Sequence, residues 1–219
     1  MRDSLALRDI VGQPPVRHLQ AFVDSVRRGE ATSKAFLLEG PPGIGKTESA
    51  MATAAALGCH DDFGGGLFVV DCSRLGVDKC DELFRCSLRL RPCTETGWKC
   101  LILEEFECIS KPCQINLKFH LDEKRIPSRL CVIATSNVVN GIDKAVLSRM
   151  KPMPYSNGEA FAKACQDRLK HLWAMRNPGQ GMPIGWTGWG KSFNETGYDM
   201  RSALQCLDEA LAERELVCA

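Results

Sequence analysis

Four short apolar runs, each closing on polar residues, punctuate the chain: Ala35-Phe-Leu-Leu38, Leu67-Phe-Val-Val70, Cys100-Leu-Ile-Leu103 and Leu130-Cys-Val-Ile-Ala134. Runs of this length without a helical period read as buried strands. The first extends to Glu39, and the second ends on Asp71-Cys-Ser73. Between them the apolar spacing turns helical. After Asp9-Ile-Val-Gly-Gln13 and Pro14-Pro15, the positions Val16, Leu19, Phe22, Val23 and Val26 predict a helix that Gly29 ends. Further helices are predicted over Thr47–Leu57, stopped by Gly58, and over Asp78–Leu88. Another runs from Ser110 and Pro112 through Leu117 and Leu121, and a short one capped by Asp143 carries Val146, Leu147 and Met150 up to Pro152. Past Tyr155 only helical spacing remains. One helix opens near Asn157, shows Phe161, Cys165, Leu169 and Leu172 on one face, and stops before Asn177-Pro-Gly179; the last shows Ala203, Leu204, Leu207 and Leu211.

The junction between the first strand and its helix carries the sharpest chemistry. Gly40-Pro-Pro-Gly-Ile-Gly-Lys-Thr47 fits the phosphate-loop pattern G-x-x-x-x-G-K-[ST]. Gly40, Gly43 and Gly45 let the backbone bring its N–H groups close to a phosphate at a helix N-terminus. Lys46 can reach the β- and γ-phosphates, and the Thr47 hydroxyl can face Mg²⁺. The expected ligands are therefore a nucleoside triphosphate and Mg²⁺.

Two other strand ends are candidates for the same site. Glu104 and Glu105 close an apolar strand, the shape of a Walker B element. In such an element the first acid holds the metal and the second polarises the attacking water. Glu104 stands where Asp is usual, one methylene longer, and a buried strand with a solvated acidic end is the plainer alternative. Asn137, after Leu130–Ser136, can donate from its amide to a phosphate oxygen or orient a water; a turn-forming role is the alternative. Arg149 suits the C-terminal end of its short helix. Arg201 lies in the first turn of the helix opened by Asp199, where a cation is disfavoured unless a phosphate offsets it. A local ion pair with Asp199 or Glu195 is the other reading of Arg201.

Composition narrows the classes. The 219 residues are 44% apolar and 25% charged, an ordinary globular mix that can bury roughly 70% of the unfolded surface. A formal charge of +1 means that any nucleic-acid surface must be local. No segment is long and apolar enough to span a membrane, and the N-terminus is too charged for a signal peptide, so a cytoplasmic protein is expected. Twelve cysteines include no C-x-x-C pair, which argues against zinc and for small buried hydrophobes. Gly179–Gly190 holds five glycines with Trp186 and Trp189, rings that could stack on a base or pack beneath the loop; packing is favoured.

Taken together, Val11-Gly-Gln13, Gly40–Thr47, Leu101–Glu105, Ala134–Asn137, Ala145-Val-Leu-Ser-Arg149 and Gly197–Leu204 resemble the AAA+ ATPases. Within that superfamily they are most similar to the small subunits of DNA polymerase clamp loaders. The resemblance spans about residues 9–211. It implies an α/β fold with a five-stranded parallel sheet of order 5-1-4-3-2 over residues 1–154, followed by a small helical lid over 155–219. It implies nucleotide contacts from Val11, Gly12, Pro41, Pro42, Gly43, Ile44, Gly45, Lys46, Thr47, Glu48 and Arg201, and a metal held by Thr47 and Glu104. It makes Glu105, Asn137 (sensor 1), Arg149 (the arginine finger) and Arg201 (sensor 2) the catalytic set. An ATPase is implied that assembles into an oligomer, Arg149 acting in trans, and works on DNA or a DNA-bound protein. Two features depart from clamp loaders: the sequence stops before their C-terminal helical collar, and Ser148-Arg149-Met150 replaces Ser-Arg-Cys. Helicase loading, branch migration, or a subunit with little turnover are the alternatives.

Overall fold

The computed structural model describes residues 6–61, 64–179, 193–194 and 197–217. Trp186, Trp189 and Glu195 lie outside them. The described chain divides into two units. The first holds residues up to Ile10, Pro14–Gly40 and Lys46–Pro154; the second holds Val11–Gln13, Pro41–Gly45 and the chain from Tyr155 onward.

The first unit is built on five strands: β1 (Lys34–Glu39), β2 (Leu67–Asp71), β3 (Lys99–Glu104), β4 (Leu130–Ser136) and β5 (Lys151–Pro154). Every pairing is parallel and the order is β2-β3-β4-β1-β5, the expected order read from the opposite edge. Parallel neighbours need crossovers, and the helices supply them: α2 (Lys46–Ala56), α3 (Val77–Arg85), α4 (Lys111–His120) and α5 (Lys144–Leu147), with α1 (Val16–Arg27) preceding β1. Leu101, Leu103, Val132 and Ala134 face α3, α4 and α5, packing with Phe84 and Leu117. On α1, Phe22 meets Phe36 edge-on at 5.2 Å and Trp98 at 5.4 Å. With both faces covered, β4 is buried throughout, which is why it reads as an unbroken apolar run.

Two edges differ from the reading of the sequence. Leu67–Val70 was expected to be buried, but β2 is an edge strand only half-buried, with Val69 47% exposed. Pro152 does not simply end a helix: it sits in β5, at the opposite edge, where a missing N–H costs no ladder bond.

In the second unit, α6 (Glu159–Arg176) buries Phe161, Cys165, Leu169 and Trp173. Trp173, rather than Leu172, completes that face. The last helix, α7 (Met200–Val217), buries Ala203 and Leu207. It follows a short antiparallel pair, β6 (Phe193–Asn194) with β7 (Gly197–Tyr198). Among the described residues no helix is long and apolar enough to cross a membrane. Nor does any group of three or more His, Cys, Asp or Glu stand ready for a metal. Seven of the described cysteines are buried, and burial pushes the Cys72, Cys80 and Cys165 thiols up to about 12, so they stay neutral and pack as hydrophobes.

Candidate nucleotide site

The parallel sheet brings the C-terminal ends of β1, β3 and β4 side by side, the edge where open α/β sheets bind ligands. The phosphate loop leaves β1 there. Gly43 and Gly45 take φ of 75° and 90°, the left-handed region that a side chain resists. Lys46 then opens α2 and is buried.

In the first unit the Lys46 ammonium donates to the Gly40 carbonyl at 2.6 Å and to Oδ1 of Asn137 at 3.0 Å. Asn137 stands just past β4. Its Nδ2 donates to Oε1 of Glu107 at 2.8 Å, and its backbone N–H donates to the same oxygen at 3.2 Å. The Ser136 hydroxyl lies 2.9 Å from Oε2 of Glu107. This settles the amide orientation, because an ammonium can only donate and a carboxylate only accept. Asn137 was expected to offer its amide hydrogens to a phosphate or a water. Here one of them is engaged by Glu107, and the oxygen faces the phosphate-loop lysine.

Glu105 is exposed and has left-handed backbone, φ 50° and ψ 48°, a conformation costing a side-chain residue on the order of 1 kcal/mol. Fully buried Phe106 behind it anchors the turn that imposes this geometry. Glu104 is half-buried and lies opposite Asp71 on β2. Burial, then the charges of Asp71 and Glu105, push the Glu104 carboxyl above the usual carboxylate range. Asp71 moves the other way, held down by the side-chain and backbone hydrogen bonds of Ser73. A cation beside Glu104 would relieve this crowding, and Thr47, partly exposed in the first turn of α2, offers a neutral oxygen. Glu48, next to it, is exposed.

Arg149 follows α5, whose start is capped by Asp143 accepting from the Ala145 N–H. Its Nη1 donates to the Ala145 carbonyl at 2.7 Å and its Nη2 lies 3.7 Å from Asp122. The guanidinium is thus held within its own chain while 31% exposed.

The second unit contains the middle of the phosphate loop. Gln13 donates from Nε2 to the carbonyls of Ile44 (3.3 Å) and Ser156 (2.9 Å), and accepts from the Ser156 N–H. Gly12 lies against α6 so closely that a Cβ would press on Phe161 and Ala164. The Met200 N–H donates to the Gly43 carbonyl at 3.1 Å, and the Asp199 carboxylate occupies the space a Gly43 side chain would need. Asp199 also caps α7, accepting from the Arg201 N–H at 2.9 Å and the Ser202 hydroxyl at 2.8 Å. The Arg201 side chain is exposed. Val11, Pro41 and Pro42 complete the described loop segments of this unit.

Glu107, Gln13 and Asp71 are the residues that sequence reasoning passed over. Glu107 sits two positions beyond Glu105, and Gln13 closes the Val-Gly-Gln signature, so both stood beside recognised motifs. Nothing local marks their partners, which lie 30 and 31 positions away.

Residues 36–155 match the family described as ATPase family associated with various cellular activities (AAA). The Holliday junction branch migration complex subunit RuvB of Mycobacterium leprae is 48% identical over 54 residues, 24% of this chain and 16% of that protein's length. The RuvB Holliday junction branch migration motor of Thermotoga maritima has a similar fold, with a TM-score of 0.70 and 17% identity. The likeness covers 98% of this chain and 66% of that one. A DNA polymerase III gamma subunit-related protein from the same organism has a TM-score of 0.58 and 11% identity, covering 87% of this chain and 57% of that one.

Proposed function

The chain belongs to the AAA family of ATPases, and from that membership we propose that it hydrolyses ATP in an oligomer to drive work on DNA. The contact of Lys46 with Asn137, itself held by Glu107, is the observation that carries this reading. It couples the phosphate-binding cation to the end of β4, so a bound γ-phosphate that draws Lys46 away alters what Asn137 faces. A subunit meant only to hold nucleotide has no need of such a link.

In this reading the N–H groups of Gly43 and Gly45 cradle the phosphates, Lys46 neutralises their β- and γ-oxygens, and Arg201 takes the sensor 2 role that the resemblance implies. Val11, Gly12 and Pro41–Glu48 line the nucleotide. Thr47 and Glu104 would hold Mg²⁺, which spreads phosphate charge when bound. Glu105, exposed just past β3, polarises the attacking water. Arg149 leaves Asp122 to stabilise the phosphoryl group bound by a neighbouring subunit, a contribution worth roughly 10³–10⁵ in rate.

Branched DNA is the favoured substrate, since the mycobacterial relative that shares local sequence and the Thermotoga structure with TM-score 0.70 are both named for branch migration. Clamp loading in replication is the second reading, favoured by the likeness to the polymerase III gamma-related protein. Domain limits of 1–154 and 155–219 suit either. Phosphate release measured with no DNA, linear duplex, primed single strand and four-way junction tests the proposal. The junction should stimulate most, and Lys46→Ala should abolish release. Stimulation by primed strand alone selects the second reading, and release unaffected by Lys46→Ala overturns the site.

A further inference from the structure

Away from the nucleotide edge, the turns following α3 and α4 form an open cleft of about 380 Å³ lined by Arg85, Arg89, Phe119, His120 and Arg125. Because α3 and α4 run antiparallel to the strands, their C-terminal ends lie by the starts of β3 and β4, the sheet edge opposite Lys46 and Glu105. The segments 85–99 and 118–129 carry eight Lys and Arg against three Asp and Glu, a net +5 in a chain of +1.

The cleft is aromatic as well as basic. Phe119 is 51% exposed at the end of α4, and the Arg125 guanidinium lies over its ring, 3.6 Å from the centroid. The floor is rigid: His120 stacks on Phe84 at 4.7 Å and meets Asp81 at 3.1 Å, and Arg85 pairs with Asp81 at 2.7 Å. The positive surface continues past the cleft. The Arg91 and Arg129 guanidinium groups converge over Gly97, where an added Cβ would meet both. Arg129 holds this place with left-handed backbone, φ 54°, a conformation that a side-chain residue resists. Arg89 also bears on buried Lys99, whose ammonium is pushed below its usual range by burial and then by Arg89. Helix dipoles account for Arg85 at the end of α3, but Arg125 lies outside any helix and Arg89 in a single 3-10 turn.

We propose that this cleft is a nucleic-acid contact site separate from the nucleotide site, gripping a single strand by phosphate contacts to Arg89 and Arg125 and by a base stacked on the Phe119–Arg125 platform. Planar guanidinium groups beside an exposed ring are the combination that single strands use, charge for the backbone and a flat face for any base. An acidic protein surface would be served by the charges alone and would leave the platform idle. The site deepens the DNA-acting reading and rests on it.

The test uses the full chain and a fluorescein-labelled oligothymidylate, read by anisotropy over a range of salt concentrations. The double variant Arg89→Ala/Arg125→Ala should bind about tenfold more weakly at fixed salt, with the log–log salt slope shallower by about 1.4, or about 0.7 for each lost phosphate contact. Phe119→Ala should weaken binding by about fivefold or more with the slope unchanged. Lys163→Ala, an exposed cation on α6, should change neither, and DNA-free ATP turnover and thermal melting should match the parent in every variant. If the parent chain binds no oligothymidylate, the cleft is not a single-strand site, whereas the DNA-acting reading falls only if the four-way junction, duplex and primed strand also leave phosphate release unstimulated. If the parent binds but the double variant keeps its affinity and slope, the DNA-acting reading stands and the cleft is not the contact. If polyglutamate displaces the strand and Phe119→Ala has no effect, the cleft reads charge alone and the assignment to nucleic acid is overturned.

Discussion

Glu107 accepts two hydrogen bonds from Asn137 on one carboxylate oxygen, from the backbone N–H at 3.2 Å and the side-chain amide at 2.8 Å. The pair joins the turn after β3 to the end of β4 and leaves the Asn137 oxygen turned toward Lys46. Glu107 therefore positions the residue that faces Lys46.

Removing that support should disturb turnover more than binding. Glu107→Ala frees the Asn137 amide to rotate, and a misplaced group near reacting atoms costs about a hundredfold in rate. We expect kcat to fall by about tenfold to a hundredfold while KM for ATP stays within about twofold. Glu107→Gln, which keeps an accepting oxygen, should recover part of the loss. Steady-state kinetics on both variants, with melting curves to verify folding, check this; an unchanged kcat in Glu107→Ala removes Glu107 from the mechanism.

At Glu105, stability and activity should separate. Glu105→Gly relieves the left-handed strain, partly offset by the greater freedom of glycine in the unfolded chain, for a net gain of a few tenths to about 1 kcal/mol. Glu105→Gln keeps the strain and loses the charge that polarises water. Both should hydrolyse ATP far more slowly than the parent, but only the glycine variant should melt higher. Equal melting temperatures would mean that the φ of 50° carries no strain.

Glu104 sets a pH dependence of stability. Burial, then the charges of Asp71 and Glu105, raise its folded carboxyl above the usual carboxylate range, so the fold favours its protonated form. The relative stabilisation is complete below the unfolded pKa and is lost as pH rises through the raised folded value. Glu104→Gln should therefore melt higher than the parent near neutrality, with the difference shrinking as the pH drops toward and below 4.5. Melting curves across that range without added divalent cation are the measurement. A constant difference would show that neither burial nor the charges of Asp71 and Glu105 shift Glu104.

Arg149 should act only between subunits. Arg149→Ala ought to leave ATP affinity nearly unchanged while removing the turnover that rises with protein concentration. Mixed with Lys46→Ala protein, itself inactive, it should regain some activity, because an intact phosphate loop can then face an intact arginine. A mixture that stays inactive, with the parent still concentration-dependent, assigns the trans role elsewhere. Since Asp122 holds Arg149 at 3.7 Å, Asp122→Asn should raise turnover at low protein concentration if that pairing competes with the neighbour.

The sequence by itself determined the elements whose signals are local. The apolar runs at Ala35–Leu38, Cys100–Leu103 and Leu130–Ala134 are continuous because both faces of those strands are covered. Gly43 and Gly45 were legible for a similar reason: the loop needs left-handed backbone, and only certain residues supply it cheaply. Edges were harder. β5 is four residues long with two prolines and lacks the pattern of a central strand, whereas β2 has that pattern and is nonetheless half-exposed, because it is the sheet order that leaves it at an edge. Trp173 was hidden because Leu172 offered a similar helical spacing, and the packed face of α6 is decided by its neighbours. Within the site, the tertiary structure alone decided that Glu107 holds Asn137, that Asn137 turns its oxygen to Lys46 across 91 positions, and that Asp122 restrains Arg149. Each is a hydrogen bond or ion pair between residues far apart in sequence. Such a pairing leaves no periodicity behind, because it depends on which strand ends the parallel sheet sets next to one another.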